Sequence, residues 1–314
     1  MKILVTGGAK NGKSGFAQAL CCRLSEHGKR FYLATMLPFD AEDVKRIERH
    51  VSDRKGLGFI TVECAMNIRD ALIPDMQGGC NSVLVDSLTA LLANEMFPRS
   101  HSSSFKCNAD APRNVARDLV YVASTVDNVV FVSDGIFNDS FRYDDMTDAY
   151  RKGLAMCEQS LVHVCDTVVE MVAGIPVVQK GTLEMSCTER TFEKKTYLIV
   201  GGAHQGKLSY AKECYGLSQS DVSLCERDSL PDFSKKCVAR IENYVWYCLK
   251  NNVPMISDFP NGTIIIANDI FCGIVPMDAF ERKWRETCGT YLQKLAKCSC
   301  VTRIVCGIPQ IVQQ

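Results

Sequence analysis

Short, almost wholly apolar runs recur along the chain, separated by longer amphipathic or polar stretches. In the first part they are Ile3–Thr6, Phe31–Ala34, Val83–Asp86, Val129–Ser133 and Thr167–Val172; further on come Tyr197–Val200, Ile264–Ala267 and Val301–Cys306. A run that is apolar at successive positions has both faces buried, which predicts a mainly parallel α/β sheet flanked by helices. Phe16, Leu20 and Leu24 recur every four residues and predict a helix behind the first run. AEDVKRIERHVSD at 41–53 also has helical spacing. It is expected to turn Val44, Ile47 and Val51 toward the core, with Arg46, His50 and Arg54 in a row along another face. The Ser- and Pro-rich segment 98–113 reads as a loop, and the stretch between the glycine loop near 206 and Ile264 has no clear period.

The pattern repeats. KILVTGGAKNGKSGFAQAL at 2–20 returns as TYLIVGGAHQGKLSYAKEC at 196–214, an offset of 194, and TVVEMVAGIPVVQ at 167–179 returns as VTRIVCGIPQIVQ at 301–313, an offset of 134. The second copy is therefore about 60 residues shorter between its ends. The expected organisation is a first unit at 1–180, a polar linker at 181–195 and a shortened, divergent second unit at 196–314.

Gly7-Gly8-Ala9-Lys10-Asn11-Gly12-Lys13-Ser14 fits G-x-x-x-x-G-K-[ST] between a strand and a helix, the context a phosphate-binding P-loop requires. Glycines let backbone N–H groups close around phosphate oxygens, and the helix N-terminus adds positive potential. Lys13 would reach the β/γ-phosphates and the Ser14 hydroxyl would ligate Mg2+. In the second copy Gly206-Lys207 is followed by Leu208, and Ser209 lies about 100° further round the helix. A degenerate nucleotide site and a structural relic both fit that loop. Asp86, ending an apolar run, could hold the metal through water, accept a substrate proton, or only cap the next helix. His50 between arginines is held toward its neutral, nucleophilic form, although a solvated histidine on a charged face has the same spacing.

Composition narrows the class. Lys and Arg number 36 against 36 Asp and Glu, so the net charge is zero, unlike a nucleic-acid or membrane-surface protein. No run approaches a membrane span, and no leader precedes the first strand, so a cytoplasmic protein is expected. The 17 cysteines are an odd number without any C-x-x-C, which suits reduced thiols used as small apolar filler.

With these residues in view, the chain resembles the bifunctional adenosylcobinamide kinase / adenosylcobinamide-phosphate guanylyltransferase family of cobalamin biosynthesis. ILVTGGAKNGKS (3–14), YLAT (32–35), RIERH (46–50), LVDSLT (84–89) with Asn94, VFVSD (130–134), AYRKGLA (149–155) and AGIPVVQK carry the likeness in the first copy. GGAHQGK (201–207), IIIANDIFCGIVP (264–276), ERKWRETCG (281–289) and CGIP carry it in the second. The resemblance implies a RecA-like P-loop fold and two reactions. ATP or GTP would phosphorylate adenosylcobinamide, and GMP from GTP would then pass to that phosphate through a guanylyl-histidine. His50 falls at the guanylylated histidine, Lys13 and Ser14 at the phosphate and Mg2+ residues, and Asp86 at an acidic position.

The family's Asn-acidic-x-x-x-Gly-Ile-Val-Pro segment is eroded in the first copy, read as Ser133-Asp134-Gly135-Ile136-Phe137-Asn138-Asp139, but survives in the second from Asn268-Asp269 onward, followed by Arg282 and Arg285. No histidine of the second copy matches His50. This complementarity leads to the expectation that Asn268, Asp269, Arg282 and Arg285 complete a site built on Lys13 and His50, with Gly206 and Lys207 as further contributors. A second copy that merely covers an exposed face is the rival, and a tandem copy can replace one subunit contact of a homo-oligomer. A P-loop kinase for another small alcohol and a decayed nucleotide-binding sensor remain as alternative functions.

Overall fold

A computed structural model describes residues 1–38, 40–98, 107–139, 141–184 and 196–314. The first unit runs β1 (Lys2–Gly7), α1 (Lys13–Leu24), β2 (Arg30–Ala34), α2 (Ala41–Asp53), β3 (Phe59–Glu63), β4 (Ser82–Asp86), α3 (Leu88–Met96), α4 (Ala111–Thr125), β5 (Val129–Val132), α5 (Asp145–Val164), β6 (Thr167–Val172) and β7 (Ile175–Lys180). Its strands lie in the order β3-β2-β4-β5-β1-β6-β7, all parallel except the β6–β7 hairpin. The glycine-loop strand β1 is thus central, and Ile3, Leu4 and Val5 are buried on both faces, as their uninterrupted apolar pattern requires.

The second unit comprises β8 (Thr196–Gly201), α6 (Lys207–Tyr215), β9 (Val222–Leu224), β10 (Cys237–Ala239), α7 (Ile241–Asn251), β11 (Ile264–Asn268), α8 (Ala279–Ala296), β12 (Ser299–Val305) and β13 (Ile308–Gln313). Its order, β13-β12-β8-β11-β10-β9, is that of the first sheet without the outer strand β3. Residues 35–81, which hold α2 and β3 in the first unit, correspond to the short connection 225–236, and the region of α4 is reduced to 252–263. These two deletions remove most of the missing length and explain why no counterpart of His50 exists.

Both units close on the same turn. Ala173-Gly174 and Cys306-Gly307 have positive φ at both positions, the two-residue hairpin whose twist matches the flanking strands. The glycine loops also share their backbone: Lys10 and His204 are left-handed, as are Gly12 and Gly206. At Gly7 and Gly201 a Cβ would lie 2.8 Å from the Met171 carbonyl and 2.5 Å from the Ile304 carbonyl, so only glycine fits.

Three readings of the sequence change. Helix α4 begins at Ala111 with Pro112 in its first turn, inside the segment expected to be a loop; residues 99–106 of that segment lie outside the described ones. Helix α2 is inverted relative to the expectation. Val44 and Val51 are 43% and 50% exposed, whereas the Arg46–His50–Arg54 row faces the sheet. That row finds its partners on the first sheet, in Tyr32, Thr61 and Asp86, and in Glu286 of the second unit. The third change is a register. Val5 pairs with Val132 and its counterpart Ile199 pairs with Ile266, so Asp134 is equivalent to Asn268 and Gly135 to Asp269, one residue from the alignment read above.

Candidate active site

The site lies at the carboxyl ends of the central strands, where an open parallel sheet offers its crevice. Lys13, the first residue of α1, is buried, and its Nζ donates to the Gly8 carbonyl at 2.7 Å and pairs with Asp134 Oδ1 at 2.8 Å. Asp134 Oδ2 accepts the Thr89 hydroxyl at 2.8 Å. Burial works against the charge of Asp134, but Lys13 and that hydroxyl outweigh it and hold the carboxyl below its usual range. The loop lysine is thus aimed into the loop by a carboxylate from the neighbouring strand end. Asn11 is also drawn inward, its amide donating to the Met171 carbonyl at 3.2 Å.

One strand further out, Asp86 ends β4 and is 9% exposed. The Tyr32 hydroxyl donates to its Oδ2 at 2.9 Å, and the Arg54 guanidinium stacks over the Tyr32 ring at 3.9 Å. The cap of α3 is Ser87, whose hydroxyl accepts the Ala90 amide, so Asp86 is left to face the site. His50 reaches the same carboxylate from α2. Its Nδ1 is 3.8 Å from Asp86 Oδ2, buried, and makes no hydrogen bond among the described residues. At that distance the ring is oriented toward the carboxylate without being bonded to it. Burial pushes the imidazole below the usual 6.5; Asp86 pulls it up, while Lys10 and Arg46 push it down again. A neutral ring with Nδ1 facing a carboxylate leaves Nε2 as the atom that can attack an electrophile.

The second unit covers this loop. The Ala9 amide donates to the Phe271 carbonyl at 3.0 Å, and a Cβ on Gly8 would lie 2.5 Å from the Phe271 ring and 2.9 Å from Cys272 Sγ. Helix α8 lays Glu286, Gly289 and Gln293 along the loop on one face. Gln293 donates to the Lys10 carbonyl, Gly289 sits against Ala9 and Lys10, and Glu286 lies 3.8 Å from Lys10 Nζ and 3.3 Å from Arg46 Nη2.

The model of the CobU family, described as cobinamide kinase / cobinamide phosphate guanyltransferase, matches residues 3–179 and 228–312. This chain belongs to the CobU family. It is 34% identical over 97 residues to the bifunctional adenosylcobalamin biosynthesis protein CobU of Salmonella typhimurium, covering 31% of this chain and 51% of that protein. The Escherichia coli protein of the same name matches over an equal length at the same identity, so the chain spans about half the length of these two relatives. The bifunctional adenosylcobalamin biosynthesis protein CobP of Pseudomonas aeruginosa is 25% identical over 186 residues, 58% of this chain and 98% of that protein. Among solved structures, an ATPase domain is similar with 12% identity and a TM-score of 0.35, over 57% of this chain and 76% of that one.

The second glycine loop lies outside the residues matched by the CobU family model, and its surroundings differ. Asp86 pairs in register with Val132 and Ala239 with Ile266, so Ala239 stands where Asp86 would be and Glu242 where Thr89 would be. The carboxylate and its donor have changed places: Asp134 accepts from Thr89 in the first unit, and Glu242 accepts from Asn268 at 2.6 Å in the second. Lys207 turns back on the Gly201 and Gly202 carbonyls. With Leu208 after the lysine and alanine at the strand end, this loop lacks counterparts of the Ser14 hydroxyl and the Asp86 carboxylate.

The α8 side chains also sort differently from the sequence expectation. Arg282 donates to the Pro276 and Met277 carbonyls and Arg285 to those of Gly273 and Ile274, so both brace the loop ahead of α8. Asn268 is held by Glu242, and the half-buried Asp269 has its carboxyl pushed up to about 6 by desolvation, against Arg303. Phe271, Cys272, Glu286, Gly289 and Gln293 are second-unit residues that meet the Lys13 loop. The spacing of 286, 289 and 293 on one helix face was visible in the sequence; its target was not.

Proposed function

We propose that the first unit phosphorylates adenosylcobinamide from ATP or GTP and then guanylylates adenosylcobinamide phosphate from GTP, a reading supported by the kinase and guanyltransferase description of the CobU family, and that the second unit is a shortened copy that covers the first. The observation that carries the reading is the convergence of the Lys13 loop and His50 on the carboxyl ends of β1 and β4, the two strands that flank β5. Lys13, with the loop amides and the α1 N-terminus, binds the phosphates and neutralises charge that grows during transfer. The Ser14 hydroxyl in the first turn of α1 and the Asp86 carboxylate at the end of β4 are hard-oxygen donors of the type that suits Mg2+, which would supply charge neutralisation for the phosphates there.

In the kinase step the substrate hydroxyl attacks the γ-phosphorus, the bond to the β-phosphate oxygen breaks, and the hydroxyl proton passes to a base, for which Asp86 is placed. In guanylyl transfer the His50 Nε2 attacks the α-phosphorus of GTP, a P–N bond forms and pyrophosphate leaves. The phosphate oxygen of adenosylcobinamide phosphate then attacks the same phosphorus, the P–N bond breaks and neutral His50 returns. Asp86 steadies the charge on the imidazole while it carries the guanylyl group.

Incubation of the full chain with α-labelled GTP tests the proposal. Acid-labile, alkali-stable label on the protein, lost in His50→Ala and discharged by adenosylcobinamide phosphate, is the expected result. Kinase turnover without such label would leave a P-loop kinase only, and nucleotide binding without turnover would leave a sensor.

A further inference from the structure

Two cations stand beside His50, Lys10 on the glycine loop and Arg46 one turn earlier on α2. They come from different elements of the first unit, yet both are turned toward one carboxylate, that of Glu286 on α8 of the second unit. All three side chains are a quarter to a third exposed, so solvent and ligand reach them. The α8 face that presents Glu286 is anchored on the same loop by Gly289 and by the Gln293 bond to the Lys10 carbonyl.

The charge arrangement is that of a small anion site with a tethered carboxylate in it. A phosphate oxygen seated between Lys10 and Arg46 would meet Glu286 as a like charge, and the two anions cannot share both cations. A polyphosphate tail carries more charge than one carboxylate and also has the loop amides and Lys13 to hold it. We propose that Glu286 is a positioning residue: it engages Lys10 and Arg46 until nucleotide arrives and is exchanged for an oxygen of the nucleotide's polyphosphate tail on binding, so that the second unit sets the nucleotide affinity of the first. The inference rests on the reading of the first loop as a nucleotide site, and it deepens that reading by assigning a role across the two units.

Calorimetric titration of the full chain with GTP and, separately, with inorganic tripolyphosphate tests this in wild type, Glu286→Gln and Glu286→Asp. Glutamine keeps the size and removes the competing charge. Breaking exposed ion pairs is a small penalty, so Kd for both ligands is expected to fall by about three- to tenfold in E286Q. The dependence of affinity on salt is expected to steepen, because two cations are no longer neutralised internally. E286D should stay close to wild type. A residue that only packed α8 would lower thermal stability and leave the tripolyphosphate Kd and its salt dependence where they are. Binding by wild type with an equal or weaker Kd in E286Q overturns the proposal alone; failure of wild type to bind either ligand overturns it together with the nucleotide reading.

Discussion

Gly289 separates two opposing effects that can be sized from the structure. In a helix interior, alanine is favoured over glycine by about 1 kcal/mol. Here, however, a Cβ would lie 2.8 Å from the Ala9 carbonyl oxygen, 3.0 Å from the Lys10 carbonyl oxygen and 3.0 Å from Lys10 Cβ. These are closer than van der Waals contact by about half an ångström, and overpacking of this kind costs about 1–3 kcal/mol. The loop cannot swing aside cheaply, because Ala9 is bonded to Phe271 and Lys10 to Gln293. Gly289→Ala is therefore expected to be net destabilising by about 1 kcal/mol, or roughly 2–4 °C in Tm. The displacement falls on Lys10, so nucleotide binding should suffer more than stability, by about tenfold in the Kd for GTP. Thermal unfolding and calorimetric titration on the same samples decide it. A raised Tm with GTP affinity within twofold of wild type would mean that helix propensity wins and that α8 does not bear on the loop, which would refute the reasoning.

Two further outcomes follow from the site. His50 must be neutral to attack, and burial holds its pKa below 6.5, so labelling by α-labelled GTP should stay level as pH falls to 6.5 and be lost only beneath it. The unfolded chain takes up that proton first, so the stability His50 contributes is complete above 6.5 and declines as pH drops; a labelling rate already halved above 6.5 counts against this assignment. Leu208→Ser restores the hydroxyl of the second loop but not the strand-end carboxylate, since Ala239 occupies that place, so calorimetry should still give one GTP per chain; two per chain would show that the hydroxyl alone had been missing.

Much of the first unit was legible because its signals are local. The G-x-x-x-x-G-K-[ST] loop sits between β1 and α1 as expected, and the apolar runs fall on β1, β2, β4, β5 and β6. The repeated AGIP and CGIP tails proved to be one hairpin turn made twice. What failed to show was set by tertiary partners. The amphipathic pattern of α2 points its valines inward, yet Asp86, Lys10 and Glu286 draw the opposite, charged face toward the site. Strands β9 and β10 have three residues each, too few to establish a period before the sheet pairs them. Lys13 and His50 could be named from spacing and resemblance. Asp134 as the lysine's partner, and Glu286 as the carboxylate between Lys10 and Arg46, depend on contacts across strands or across units that no local window contains.

The Phe271 carbonyl on the Ala9 amide, the Gln293 bond to the Lys10 carbonyl and the Arg303–Glu170 ion pair join two sheets that would otherwise have to find each other as separate molecules. Carried on one chain, the two meet at an effective concentration of the order of millimolar, whatever the dilution. The contact over the glycine loop then does not depend on protein concentration, and GTP binding per chain is expected to stay constant as the protein is diluted.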